Sequence, residues 1–490
     1  MTAERRLALF ALTAAFAIPA LVYLTSASVE PASWDTAELQ GVPYILGIAH
    51  PTGFPLYVLL GYVWSHAVPV ASVAWRMNAM TGIAMAAASA AAFLVALEFG
   101  ASVPVALLAT LWFAFTQNVW AHGARAEAQV VAVACCAFAI YAFLRWMRGA
   151  RDRWFLTAFA LAGLGMAAHP NALWVLPAFA VGAVVARRRP PLKTVAASAA
   201  LVVGALLLYL YLPLRSAYVV AHRLDPASIL PGAGGGIFWN YNDPSTLHGS
   251  IVELTGSDFS TPGYFLASFN PVHWKDAVVA FADGLRLQYD PTMLLVVFAG
   301  LVAAAGRDWR RTLVLCIACT AALIFSAIYP NEGDVGRYRL LASWIAVPLI
   351  GALTPPARGR FELLAHALLI VYLAAGAAVA FEHQRVFFRH APHEGGRWVI
   401  DAVRPHVGPG SVLVTGWLDA TSLAYGAYVD GSLPGRIIVS DDRLDVPLYR
   451  SWARRLPVFV LVDPHNVGVL PGAVDYATLD PYHELYAVSP

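Results

Sequence analysis

The chain has 490 residues, 59% of them hydrophobic and 13% charged, with a mean hydropathy of +0.62; soluble domains carry about a quarter charged residues. Thirty-two basic and thirty acidic residues leave a formal charge of +2, which excludes the electrostatic footprint of a nucleic-acid binder. A polytopic α-helical membrane protein is expected, with membrane lipid around it and no nucleic-acid partner.

About 20 apolar residues cross the hydrocarbon of a bilayer. Eleven stretches qualify, near 7–25, 77–97, 103–119, 128–147, 154–168, 171–186, 194–212, 290–305, 312–329, 338–354 and 362–381. Two of them, 154–168 and 171–186, are short and meet at His169-Pro170, where a break or tilt is expected. The first is read as a retained helix; a signal peptide is the alternative, with Arg5 and Arg6 ahead of the apolar run and Ser26-Ala27-Ser28 resembling a cleavage site. An odd span count with Arg5 and Arg6 inside assigns the loops around 98–102, 145–153, 187–193, 306–311 and 355–361 to the cytoplasm. Those loops and the N-terminus hold 15 basic residues and five acids, and the other side holds 17 and 25. Such an asymmetry fits an inner (plasma) membrane protein with a cytoplasmic N-terminus and an extracytoplasmic C-terminal domain. Only Lys193 and Lys275 are lysine and alanine is abundant, the usage of a high-GC bacterial genome.

The division expected is a transmembrane domain over 1–381, with external loops 26–76 and 213–289, and a small α/β domain over 382–490. In the latter, Gly410–Gly416, Arg436–Ser440 and Val458–Val462 are short β-branched runs. Helix-compatible stretches such as Thr421–Tyr428 lie between, so some parallel pairing is expected. No glycine-rich phosphate loop accompanies them. Asp441 and Asp442 fall at a strand end, where solvation is the simplest reading. Cys135, Cys136, Cys316 and Cys319 all lie in apolar runs, the setting of packed or lipid-facing thiols more than of a metal site; no metal ligand set is assigned.

The first external loop is the most informative stretch. Ser33–Tyr57 reads SWDTAELQGVPYILGIAHPTGFPLY. Asp35 and Glu38 are three apart, so in a helix both carboxylates share a face. Two readings stand at this point: a helix N-cap pair, or a general base held just above the membrane. His50-Pro51-Thr52-Gly53-Phe54-Pro55 stiffens a turn whose backbone N–H groups suit an anion. Leu56–Val68 then reads as an amphipathic helix at the interface.

Asp-x-x-Glu-Leu followed by His-Pro-x-Gly-aromatic-Pro-Leu-Tyr resembles the opening motif of the transmembrane protein O-mannosyltransferases, members of the GT-C superfamily of glycosyltransferases. Thr52 stands where that family usually has Pro, Phe54 where it has Tyr, and Ala37 where it has Gly. Arg76-Met77-Asn78, Trp120 with Glu127, Gly165–Pro170 ending on His169-Pro170, Tyr211–Ser216 (YLPLRS) and Asn240–Pro244 resemble its later motifs in order. Ile328–Tyr338 matches more loosely.

The resemblance implies a GT-C-type fold and an integral-membrane glycosyltransferase. It would move a sugar, mannose by family analogy, from a polyprenyl-phosphate carrier to Ser or Thr of an exported protein, or to a glycolipid. Topology leads independently to the same kind of donor, since a sugar nucleotide is cytosolic and charged while Asp35 and Glu38 are expected outside. Because a lipid phosphate leaves readily, inverting transfer needs one base, for which Asp35 is the candidate; Glu38 shares, orients or tunes it. Arginine suits the developing phosphate charge, and Arg215 and Arg337 at external span ends, with Arg76, Arg125 and Arg339, are the donor candidates against a reading as headgroup anchors. His50, Asn78, Glu127, His169 and Asp243 complete the donor or substrate set. Asp243 and Asp334 suit sugar hydroxyls or a divalent ion, or simple solvation, and no other cofactor is implied. Trp34, Tyr44, Trp239 and Tyr241 suit sugar stacking or an interfacial belt. A transporter or flippase of lipid-linked sugars is the alternative; paired inverted halves with charges at mid-membrane are its usual mark, and no internal repeat is visible here.

Overall fold

The computed structural model describes residues 3–233, 235–257, 275, 279, 282, 291–328, 335–355, 359–390, 395–465 and 473–490. It divides into two compact units. One comprises Met1–Ala27, Thr81–Leu208 and Ser260–Ala391; the other comprises Ser28–Met80, Tyr209–Phe259 and Pro392–Pro490.

In chain order the helices are α1 Ala3–Ser26, α2 Trp34–Ile45, α3 Pro55–Ala67, α4 Val73–Glu98, α5 Val103–Ala114, α6 Gln117–Gly123, α7 Ala128–Met147, α8 Arg153–Ala168 and α9 Val175–Val185. There follow α10 Leu192–Leu206, α11 Tyr211–His222, α12 Leu247–Thr255, α13 Pro291–Ile328, α14 Leu340–Trp344, α15 Ala346–Gly351 and α16 Arg360–His390. Among the described residues six helices are long and apolar enough to cross a membrane: Ala3–Ser26, Val73–Glu98, Ala128–Met147, Leu192–His222, Pro291–Ser326 and Arg360–Phe388. The pair Val103–Phe115 and Gln117–Gly123, bent by 71°, makes a seventh if it is one span.

The difference from eleven expected spans has local causes. Helix α8 stops at Ala168 before His169-Pro170 and leaves two short apolar helices, Arg153–Ala168 and Pro170–Val185, because the residue before a proline is pushed out of helical geometry. Stretches 290–305 and 312–329 form one kinked element, α13, whose break is the non-helical Asp308 at φ −157°. Asp308 caps the second half: its carboxylate accepts from the Arg311 backbone N–H at 3.2 Å and from Arg311 Nε at 2.7 Å. Stretch 338–354 is a 3₁₀ turn, Val335–Arg339, followed by α14 and α15, and Pro348 lies inside the latter.

Within the membrane unit, the ends read as cytoplasmic are joined by arginine. Glu98, 7% exposed, accepts from Arg145 at 2.8 Å and Arg148 at 2.9 Å, and Arg311 donates to the Glu98 carbonyl at 3.1 Å. Arg188 pairs with Asp152, and Arg307 reaches the carbonyls of Phe99 and Thr354. Aromatic donors tie helix to helix: Tyr23 OH to the Ala114 carbonyl at 2.8 Å, and Trp344 Nε1 to that of Ala88 at 2.7 Å.

The second unit contains a five-stranded sheet. Its strands are β1 Val412–Thr415, β2 Ile437–Ser440, β3 Val458–Val462, β4 Ala473–Asp480 and β5 His483–Val488, in the order β2-β1-β3-β5-β4. Strand β1 pairs parallel with β2 and β3, while β5 runs antiparallel to β3 and β4. Helices α17 Gly396–Val403, α18 Trp417–Tyr428 and α19 Val446–Ala453 complete it. The three sequence-expected strands are present with the expected parallel pairing. A core of Val412, Val414, Val460, Tyr449 and Trp452 also takes in Ala227 and Leu230 from the segment after α11.

Candidate functional site

Helix α2 follows Ser33, its N-cap, which makes no side-chain capping bond. Asp35 lies in the first turn of the helix. Glu38, one turn on, is fully buried. Its Oε1 accepts from the His50 backbone N–H at 2.8 Å and its Oε2 meets His50 Nδ1. Burial raises the Glu38 pKa, the charge and hydrogen bonds of His50 oppose that shift, and nearby Asp35 adds to it.

The half-buried Asp35 accepts through Oδ1 from Trp417 Nε1 at 2.9 Å. Four aromatic rings gather there. His50 stands edge-on to Trp417 at 5.8 Å and to Phe54 at 5.0 Å, and Tyr241 stands edge-on to Trp417 at 5.7 Å. Trp417 opens α18 directly after β1, so it sits at the carboxyl end of a parallel strand, where open α/β sheets place their ligand-facing residues. Asp442, just past β2, accepts from the Trp417 backbone N–H at 3.1 Å. Asp441 takes the Tyr449 hydroxyl at 2.5 Å, so both aspartates end a strand as expected but are bonded, not merely solvated.

The frame around this cluster consists of other sequence-predicted residues. Tyr211 OH donates to the carbonyls of Leu46 and Gly47 at 2.9 and 2.7 Å. Arg215 donates to those of Leu46 and Ile45 at 2.5 and 3.3 Å, satisfying the orphan carbonyls that end α2. Ser216 Oγ is bonded to Asn240 and Asp243, and Asp243 also takes the Ser245 hydroxyl at 2.6 Å. Burial raises the Asp243 pKa, but hydrogen bonds from Ser245, Asn240 and Ser216 outweigh it and hold the carboxyl below its ordinary value. The YLPLRS segment thus fastens one loop turn to another. Arg76 donates to the carbonyls of Val70, Ser65 and Ala71. Asn78 accepts from Gln40 at 3.1 Å and donates to the Ser28 carbonyl at 3.0 Å. Gly53, at φ +75°, supplies the left-handed backbone of the turn after His50 that a side chain would strain. Trp34 is exposed, Tyr44 stacks on His66 at 4.7 Å, and Trp239 lies against Tyr428.

Glu127, His169 and Arg337 belong to the membrane unit and form a second cluster. Glu127 caps α7 by accepting from the Gln129 N–H at 3.3 Å. Its Oε2 lies 3.9 Å from Arg125 and 3.8 Å from Arg337. All three side chains are at least three-quarters buried. Arg337 lies over the Tyr338 ring at 5.3 Å. His169 Nδ1 accepts from the Asn171 N–H at 3.2 Å, and its ring lies 6.1 Å from that of Tyr338. A small cavity beside them is lined by Gln129, Asn171, Trp174, Phe325 and Tyr338, among others. Arg339 is in the same 3₁₀ turn as Arg337. Asp334 lies outside the described residues. Among the described residues no group of three or more His, Cys, Asp or Glu is placed to hold a metal ion.

Chemically, the first cluster offers a half-exposed carboxylate with one oxygen held by an indole, next to a buried carboxyl–imidazole pair. The second offers two guanidinium groups on a single carboxylate. Trp417 was not singled out by the sequence; its one signal there is its place at the end of a strand-forming run.

The family model of the protein O-mannosyl-transferase TMEM260 N-terminal domain matches residues 35–192. The protein O-mannosyl-transferase tmem260 of Dictyostelium discoideum is 33% identical over 95 residues, 19% of this chain and 12% of that protein. TMEM260 of Mus musculus is 32% identical over 114 residues, 23% of this chain and 16% of that protein. The chain thus matches well under a quarter of the length of either curated relative. ArnT from Cupriavidus metallidurans has the same fold in its apo state, with TM-score 0.54 and 12% identity over 98% of both chains. The structure of ArnT bound to undecaprenyl phosphate gives TM-score 0.55 and 12% identity, over 98% of this chain and 99% of that one. The match over residues 35–192 bears out the resemblance of that segment to the protein O-mannosyltransferases, and the shared fold bears out the expected fold class, a multi-pass helical membrane protein with a small C-terminal sheet.

Proposed function

We propose that this chain, whose residues 35–192 match the TMEM260 N-terminal domain, is a membrane glycosyltransferase that moves a sugar from a polyprenyl-phosphate carrier to a hydroxyl acceptor. A protein hydroxyl is the acceptor and mannose the sugar, by the names of the relatives, with Ser or Thr of an exported protein as the side chain proposed; the lipid carrier follows ArnT, whose structure holds undecaprenyl phosphate. The observation that carries this reading is Asp35: a half-buried carboxylate in the matched first loop, held by one oxygen beside a buried acid–imidazole pair.

In the proposed step the acceptor O–H proton passes to Asp35 and the acceptor oxygen bonds to the anomeric carbon. The bond from that carbon to the carrier's phosphate oxygen breaks, and the electron pair leaves with the phosphate, inverting the configuration. A positioned base of this kind contributes roughly 10²–10⁴-fold. Glu38 holds His50 and sets the local field. In the membrane unit Arg125 and Arg337 outnumber Glu127 and are the described cations proposed to take the carrier's phosphate, guanidinium being matched to phosphate geometry. His169 and Tyr241 are proposed on the substrate side, and Arg76, Asn78, Arg215 and Asp243 as the frame. The arginine asymmetry and lysine-poor composition support a bacterial inner-membrane protein with its N-terminus inside, the external loops and residues 382–490 outside.

The test uses the purified full chain in liposomes with polyprenyl-phosphate [³H]mannose and a Ser/Thr-rich polypeptide. Label on the polypeptide from the wild type and none from Asp35→Asn is the expected result. Movement of the labelled lipid across the bilayer without any transfer would instead identify a flippase.

A further inference from the structure

We propose that Trp417 is the positioning residue of Asp35: its indole N–H fixes the orientation of the carboxylate, and its ring forms, with those of His50 and Tyr241, an aromatic panel that takes the face of a sugar or acceptor beside it. The inference rests on Asp35 being the base and deepens that reading by bringing the C-terminal α/β sheet into the reaction.

The Trp417–Asp35 bond spans 382 positions of sequence, and both partners are braced. Trp417 opens α18, with its backbone N–H on Asp442. Ser422, also on α18, donates to the Ala32 carbonyl at 2.9 Å. The Ala32 N–H in turn donates to Gln40 of α2 at 2.9 Å. The Tyr425 hydroxyl accepts from the Ala74 N–H at 2.9 Å. Gly396 meets the carbonyls of Pro31 and Ala32 where any Cβ would collide. Arg397 adds ion pairs to Glu30 at 2.7 Å and Asp430 at 2.6 Å. The indole is therefore set against α2 by a frame on both sides, not by a mobile side chain. An N–H donated to Oδ1 fixes the plane of the carboxylate and so the direction of Oδ2. It also favours the ionised form that accepts a proton. His50 and Tyr241 stand edge-on to Trp417 at 5.8 and 5.7 Å, and an aromatic face is a surface on which a sugar ring or a peptide backbone packs.

Trp417→Phe keeps an aromatic ring and removes the N–H. The expected result is a 10- to 100-fold lower kcat, of the order of one lost hydrogen bond to a charged group. The acceptor KM is expected to stay unchanged, and the acid limb of the pH–rate profile to move up by about one unit. Trp417→Ala is expected to raise the acceptor KM as well. A wild-type pH profile in Trp417→Phe, with activity reduced only by the fraction folded, would show a structural role and overturn the proposal. A second measurement is independent of turnover: the ultraviolet resonance Raman band of the indole N–H, taken as wild type minus Trp417→Phe and titrated with acid. A band that shifts with pH in the wild type and is fixed in Asp35→Asn supports the coupling, even if the wild type transfers no sugar and the glycosyltransferase reading fails. A band that does not titrate, or titrates equally in Asp35→Asn, overturns it.

Discussion

Both candidate clusters are built around a buried carboxylate, but they surround it differently. Glu38 is clasped by a histidine and has a second, half-exposed acid one helical turn away. Glu127 is flanked by Arg125 and Arg337. The first arrangement crowds negative charge around a carboxylate that solvent reaches, which suits proton acceptance. The second sets two guanidinium groups against one carboxylate, a donor set that suits an anion. Under the proposed function these are the two halves of a glycosyl transfer from a lipid phosphate, and each half can be broken separately.

The largest effect is expected at the acid pole. Asp35→Asn keeps shape and the bond from Trp417 but removes the proton acceptor, so kcat should fall by about 10³-fold with the donor KM little changed; single-turnover transfer of the labelled sugar measures this. At the basic pole Arg337→Ala should raise the donor KM by roughly 10–100-fold, the loss of a charged hydrogen bond, with the acid limb of the pH profile in place. Should Arg337→Ala shift the pH profile and Asp35→Asn shift the donor KM, the division of labour between the clusters would be reversed.

Glu38→Gln sharpens the comparison within the acid pole. Asp35 raises the affinity of Glu38 for a proton, and neighbouring carboxylates titrate as a coupled pair. Removing one charge should move the acid limb of the pH–rate profile to lower pH, opposite in sign to Trp417→Phe, with a rate loss of a few fold. An unmoved limb would mean that Glu38 only holds His50. Arg215→Lys separates frame from chemistry. Lysine is unable to reproduce the fork onto the Ile45 and Leu46 carbonyls, so a loss of about 1 kcal/mol in unfolding free energy is expected, seen as a lower melting temperature in detergent, with kcat per folded molecule retained.

Much of this was legible in the sequence. Hydropathy marked where apolar helices run, and the i, i+3 spacing of Asp35 and Glu38 marked the pole, because both signals are local. The count of spans was less legible, since whether a helix stops at Pro170, kinks at Asp308 or breaks around Pro348 depends on capping and packing. Strands β4 and β5 were missed because Ala473–Asp480 and His483–Val488 mix acidic residues into short runs. Arginines showed their charge but not their partners: Arg76 and Arg215 spend their donors on carbonyls, acceptors that every residue has and no motif displays. Trp417 was hidden for the opposite reason, as its partner is specific but lies 382 positions away.

The smallest predicted effect concerns Asp243, and its sign distinguishes a frame residue from a reacting one. Its carboxyl is held below the ordinary value by the hydroxyls of Ser245 and Ser216 and the amide of Asn240. A depressed pKa in the folded state means that the folded protein resists protonation more than the unfolded chain does. The stability this contributes is fully present above the ordinary aspartate range and is lost as pH falls through the depressed value. Asp243→Asn removes that contribution, so wild type and variant melting temperatures should differ at neutral pH and converge on acidification. Group transfer measured at neutral pH, per folded molecule, should change far less than in Asp35→Asn, because the Asp243 oxygens are engaged with the loop that they fold. If instead the melting curves coincide at every pH while transfer collapses, Asp243 belongs with Asp35 among the groups that meet the substrate.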